Sequence, residues 1–351
     1  MVERGLAQWK RQKKALPTNQ LKVTFIGESG VDTGALRKEF LTDMVVGIEQ
    51  KLFEGDKTGK CPKYSMLDLD QANFRRAGEI WAASLAQGGP PPCCLKLWVY
   101  KYLCDGELQM QHIQKEDVCD VHYSWIISQV ESATDDITDL TEEILNCGYH
   151  GPISVEKKQD IVRSVVLHAI LRLLPFLSQL REGLKLYGLA SLMSQYPKIC
   201  QPLFVPGVEM KADADFVFAA CHPEFSEKGS SEEQVEFSIM NHLQDFLQEL
   251  ETNEHTEVGN TSGSLSPSTF LQWLTGQGHV PLLPQEMANF KVFVYFSHTC
   301  HINYGVHTVC YPTVSACSNT IHLPVQHMQT FNAFKQVMTE AFFQGQGFHL
   351  I

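Results

Sequence analysis

Apolar positions along this chain follow two rhythms. Ile239, Leu243, Phe246, Leu247 and Leu250 recur three and four residues apart, the spacing of one buried helix face. Residues 331–343 repeat that spacing and predict a closing amphipathic helix, and residues 35–52, 72–85 and 95–103 read as earlier helices. The run Gln87-Gly88-Gly89-Pro90-Pro91-Pro92 separates the last two, because it can continue neither of them. The most apolar stretch, 161–180, is interrupted by Arg163, His168 and Arg172 and contains Pro175, so it predicts a kinked core helix rather than a membrane span. Residues 21–26, 290–296, 305–310 and 321–323 are instead short runs of strand type.

Polar stretches divide these elements. Residues 131–139 are acidic and read as a solvated face, and residues 252–268 read as an exposed insertion ending in the helix-start signal Ser266-Pro267-Ser268. The small polar run 226–233 has the composition of a flexible connection. The pattern predicts an α+β chain with a larger, mostly helical part over 1–229, a smaller α/β part over 230–351, and a hinge at 226–233.

Composition narrows the class. A length of 351 residues exceeds what one core usually serves, which agrees with two domains. Acidic residues number 40 against 28 basic ones, so no nucleic-acid footprint is expected, and the short basic run at 10–14 reads as a solvated face. No apolar leader follows Met1, so a reducing compartment, cytoplasmic and/or nuclear, is expected, with no membrane partner. The eleven cysteines then read as thiols. They form no Cys-x2-Cys pair, so neither structural zinc nor any other metal is expected, and the adjacent Cys221 and His222 read as a structural or loop feature.

Residues 23–40, Val-Thr-Phe-Ile-Gly-Glu-Ser-Gly-Val-Asp-Thr-Gly-Ala-Leu-Arg-Lys-Glu-Phe, resemble the opening signature of HECT-type ubiquitin-protein ligases. Ala35 and Lys38 stand where that family usually has Gly and Arg. Further segments follow in the family's order: Asn73-Phe74-Arg75-Arg76-Ala77-Gly78, Leu180-Arg181-Glu182-Gly183-Leu184, Leu203-Phe204-Val205-Pro206-Gly207, Leu271-Gln272-Trp273-Leu274-Thr275-Gly276 and His279-Val280-Pro281. The resemblance implies a bilobal fold, with an N-lobe that docks a ubiquitin-conjugating enzyme at about residues 105–155 and a mobile C-lobe carrying a catalytic cysteine. Its partners would be that enzyme, ubiquitin and a protein substrate, and no cofactor is implied.

The last segment carries the chemistry. Residues 311–324, Tyr-Pro-Thr-Val-Ser-Ala-Cys-Ser-Asn-Thr-Ile-His-Leu-Pro, are similar to the family's catalytic loop and place Cys317 on its nucleophile. A thiolate suits acyl transfer from another thioester because the exchange is nearly isoenergetic and leaves the acyl group activated. Asn319 matches the family and would orient the loop, His322 could shift the thiolate equilibrium, and Phe348, fourth from the C-terminus, would assist delivery to substrate. Ala316 and Ser318 replace the family's usual Thr and Phe, and the lost hydroxyl leaves open a catalytically idle HECT-like interaction module. Ser297-His298-Thr299-Cys300 is a second match to the residues preceding the nucleophile, but only Cys317 is followed by Asn319 and Leu323-Pro324, and Cys300 reads as a buried structural thiol.

Overall fold

The computed structural model describes residues 2–11, 18–24, 34–207, 212–256, 265–300, 302, 305 and 307–344, without the side chains of 254–256. The chain separates into two compact units. The first comprises residues 1–20, 43–87 and 91–209, and the second 21–42, 88–90 and 210–351.

The first unit is mostly helical. It contains α1 (Val2–Arg11), most of α2 (Ala35–Leu52), the hairpin β1 (Phe53–Asp56) with β2 (Gly59–Pro62), α3 (Met66–Asp70), α4 (Asn73–Ala86) and α5 (Leu97–Asp105). Beyond these come α6 (Val121–Ser132), α7 (Thr141–Asn146), α8 (Lys158–Leu171), α9 (Leu174–Gly183), α10 (Leu189–Gln195) and α11 (Pro197–Cys200). Its core is an aromatic stack in which Phe53 lies 5.2 Å from Trp81 and Phe74 lies 5.2 Å from Phe176, all fully buried. Offset and edge contacts of this kind add to the area that such rings remove from water.

Residues 155–183 are long and apolar enough to cross a membrane by length and composition. Here they break into α8 and α9 at Arg172–Leu173, with Pro175 in the first turn of α9, where its missing N–H costs nothing. Ile161, Val165, Val166, Ile170, Phe176, Leu177 and Leu180 are buried in the first unit. At the break, Arg172 turns to Asp120 at 3.0 Å and covers the Tyr64 ring at 4.2 Å.

Two segments of the resemblance meet in this unit. α4 carries Gly78 and α9 ends on Gly183, and the helices cross with their backbones in contact. A Cβ on Gly78 would lie 2.3 Å from the Leu180 carbonyl oxygen, and one on Gly183 would lie 2.0 Å from that of Arg75. No side chain larger than hydrogen fits either position.

The second unit holds α12 (Ala214–Ala220), α13 (Ser231–Thr256), α14 (Pro267–Thr275), α15 (Pro284–Asn289) and α16 (Phe331–Gln344) with a four-stranded sheet. The strands are β3 (Cys221–Pro223), β4 (Val292–Ser297), β5 (Thr313–Ser315) and β6 (Thr320–Pro324), in the order β3-β4-β6-β5. β3, β4 and β6 run parallel, and β5 closes the edge antiparallel to β6. One face of the sheet, through Val292, Val294, Ile321 and Leu323, joins Ile239, Leu243, Phe246, Leu247, Phe270 and Phe334 in a single core. The helical stripe read on α13 and the strand-type run at 290–296 converge there, with β4 alternating buried Val292 and Val294 against exposed Phe293.

Three expectations move. The boundary between units falls at 209/210, and residues 226–233 lie inside the second unit, because β3 pairs with β4 upstream of them and Ser226 is anchored downstream to Glu236. Cys221 and His222, read as a structural or loop feature, take the structural role and form that strand. In place of a strand at 305–310, the described residues there form a loop whose His307 and Cys310 turn toward each other, and the strand begins at Thr313. Residues 21–24 carry no strand, and 25–33 lie outside the described residues.

Candidate functional site

Cys317 sits at the tip of a hairpin. Ser315 of β5 pairs with Thr320 of β6, so residues 316–319 form the whole connection. The Ser318 N–H donates to the Ser315 carbonyl at 3.2 Å, closing a β-turn with Ala316 and Cys317 at its centre. The Ser318 hydroxyl donates to Ser315 Oγ at 2.9 Å and lies 2.9 Å from Thr320 Oγ1, so the residue that departs from the resemblance pins the turn through hydroxyls. Asn319 then takes the left-handed conformation, φ +50°, which reverses the chain into β6. Its carbonyl accepts the Phe293 N–H at 2.8 Å and ties the turn to the central strand.

This backbone sorts the side chains. Ala316 is buried at 5% exposure while Cys317 faces solvent. Among the described residues, which include all eleven cysteines, Cys317 alone is exposed. Burial pushes the Cys94 thiol up, and that of Cys221 up to about 12, so neither is a ready nucleophile near neutral pH. His322 projects from the exposed face of β6 and stacks on Tyr295 at 4.9 Å, and Phe348 lies outside the described residues.

Asn319→Val is expected to destabilise the second unit by about 1–2 kcal/mol, because a β-branched residue resists positive φ, while Asn319→Gly should be close to neutral. Thermal melts of both variants measure this. Equal melting temperatures would show that the turn does not depend on this conformation.

The second match, Ser297-His298-Thr299-Cys300, has a structural use. His298 Nε2 lies 2.6 Å from Oε1 of Glu236, a carboxylate at 1% exposure that also accepts the Ser226 N–H at 2.7 Å and the Ser226 hydroxyl at 2.6 Å. Desolvation works to raise the carboxyl, but the hydrogen bonds from Ser226 and the nearby His298 outweigh it and hold Glu236 below its ordinary 4.5. Glu236→Ala leaves these donors without their acceptor, at a cost of about 1–3 kcal/mol near neutral pH. Because the folded value is the lower one, the advantage of the natural protein is complete above 4.5 and is lost as pH falls through the folded value. Denaturant melts of both proteins across that range test the sign. An advantage that grows on acidification would contradict it.

A second group of side chains lies in the same unit. Cys300, His307, Cys310 and His327 bring their ligand atoms within 4.8 Å of one another. With no Cys-x2-Cys pair to mark it, the group is inconspicuous in the sequence, where no metal is expected. The usable signal is His307-x2-Cys310, whose remaining partners come from the ends of two separate strands.

No family model matches the chain. Over 201 residues it is 25% identical to proteins named G2/M phase-specific E3 ubiquitin-protein ligase from Macaca fascicularis and Homo sapiens, and over 210 residues it is 26% identical to the protein of that name from Gallus gallus. The chain is thus distantly related to an E3 ubiquitin-protein ligase. These matches take in 54–55% of this chain and 28% of the relatives' own length.

Proposed function

We propose that this chain is the catalytic region of a HECT-type ubiquitin-protein ligase, in which Cys317 accepts ubiquitin as a thioester and passes it to a substrate lysine. The exposed thiol of Cys317, on a turn tied to the central strand, carries this reading in a chain related to an E3 ligase. In the first step Sγ attacks the thioester carbonyl of a charged conjugating enzyme, that enzyme's thiolate leaves, and the cysteine proton passes to solvent. In the second step an uncharged lysine amine attacks, the Cys317 thiolate leaves, the amine's surplus proton passes to the thiolate or to solvent, and an isopeptide bond remains. Asn319 positions the turn, His322 supports the site from the exposed face of β6, and Phe348 assists delivery.

The first unit is the expected docking side. Within residues 105–155, Met110, Val121 and Trp125 are exposed, and an apolar surface of this kind suits a protein partner. A reducing compartment, cytoplasmic and/or nuclear, fits an enzyme that needs free thiols. The idle interaction module is the second reading, favoured by one observation: the buried Ala316 brings no hydroxyl beside the thiol. Incubation with activating enzyme, a panel of conjugating enzymes, ubiquitin and ATP separates the two. An adduct is expected, whereas binding to ubiquitin or a conjugating enzyme with no adduct would establish the module.

A further inference from the structure

We propose that Cys300, His307, Cys310 and His327 form a structural zinc site that clips together the strand ends at the far side of the sheet from Cys317. The residue types are those of a closed Cys2His2 site, two thiolates and two imidazoles, a set that suits zinc among the available divalent ions. The geometry agrees. Zinc–sulfur and zinc–nitrogen bonds of ~2.3 and ~2.05 Å at tetrahedral angles give edges of about 3.3 Å for N–N, about 3.6 Å for N–S and about 3.8 Å for S–S. Here the two Nε2 atoms are 3.0 Å apart, Cys310 Sγ is 2.8 Å from His307 Nε2, and Cys300 Sγ is 3.8 Å from His327 Nε2. Two of these edges are shorter than the tetrahedral values and the third is slightly longer, and all four donors lie within 4.8 Å of one another, so shifts of up to about 1 Å bring them to a common centre.

The surroundings orient the rings as metal ligands require. His307 Nδ1 lies 2.7 Å from the Gly305 carbonyl, so it carries the proton and leaves the Nε2 lone pair aimed into the group. Gly305 adopts φ +67°, which turns its carbonyl back onto that ring. The Cys300 thiol donates to Gln326 Oε1 at 3.1 Å, a hydrogen bond that metal ligation would replace. Cys300 is 2% exposed, and the other three are partly buried, as in a closed site. Metal uptake would release the protons of the two thiols and leave a neutral centre.

Placement decides the role. Cys300 follows the end of β4, His327 follows the end of β6, and His307 and Cys310 lie on the loop leading into β5. The Cys317 turn precedes the start of β6, whose five residues at ~3.3 Å each put it roughly 16 Å from the metal. Zinc there touches no reacting atom. It would fix His307 and Cys310, so that β5 and the hairpin start from a defined point. The site is independent of what Cys317 does.

The test is metal content by inductively coupled plasma mass spectrometry on the full chain, expressed with added zinc and purified under thiol reductant. About one zinc per chain is expected, lost in Cys310→Ser and His307→Ala and retained in Cys317→Ala and Cys147→Ala. Should the first two variants fail to fold, the unmodified protein still decides. Stripping with a tight chelator should lower its melting temperature, zinc but not magnesium should restore it, and cobalt should give the visible bands of a tetrahedral thiolate site. A folded natural chain that carries no zinc and takes none up overturns the proposal, as does recovery of Cys300 and Cys310 joined in a disulfide under the same reductant.

Discussion

Gly183→Ala should unfold or nearly unfold the first unit, with a loss of about 3–5 kcal/mol, above the usual cost of an added methyl group. The added carbon would stand 2.0 Å from the Arg75 carbonyl oxygen, 2.8 Å from the Glu79 nitrogen and 2.9 Å from the Gly78 Cα. All three are backbone atoms of α4, so no rotamer change relieves the overlap. The helices must move apart by more than about 1 Å, which opens the contact between Phe74 and Phe176. Gly78→Ala meets Leu180, Leu184 and Gly183 from the other side and should act in the same direction. The two losses should not add, since either one separates the same pair of helices. Circular dichroism melts of the single and double variants measure this. A natural melting curve for Gly183→Ala would mean that the helices do not cross at these glycines.

The same crossing shows what the sequence could convey. The segments around Gly78 and Gly183 are recognisable by resemblance, α4 reads as a helix before the Gly-Pro run, and α9 reads as the far half of a kinked apolar helix. That the two glycines face each other needs long-range packing, which spacing alone does not encode. α13 is easier, because Ile239, Leu243, Phe246 and Leu247 share one stripe and all of it is buried. The run at 305–310 misleads because its β-branched character is local, whereas its fate is set by His307 and Cys310 turning toward residues on other elements. The polar run at 226–233 does look like a connection. It fails as a boundary because β3, only three residues long and with no alternation to read, draws the preceding segment into the second unit's sheet.

At the candidate site, Asn319 and Leu323-Pro324 are the residues that single out Cys317 in the sequence, and the fold supplies the physical reason. Asn319 is needed for its positive φ, and Ile321 and Leu323 alternate into the core, which fixes the register of β6 and therefore the position of the turn. Cys300 reads as a buried thiol only because most free cysteines are buried, and the partners that bury it are set by the surrounding fold. Cys300 is buried against Gln326 and His327, and its neighbour His298 is engaged by Glu236.

Cys317→Ala should reduce the reductant-sensitive ubiquitin adduct to background, the largest functional effect expected of any single substitution here. A thioester exchanges with added thiol and an isopeptide bond does not, so electrophoresis with and without reductant reports the sulfur linkage without knowledge of the substrate. Cys317→Ser should shift the adduct to a reductant-resistant ester, because a hydroxyl accepts acyl slowly and leaves poorly. The decisive measurement is this charging reaction run side by side on the natural chain, Cys317→Ala and a Cys300→Ala variant shown by circular dichroism to be folded. The account predicts an adduct in the first and third and none in the second; an adduct that survives Cys317→Ala, or one that disappears with Cys300→Ala in the folded protein, would contradict it.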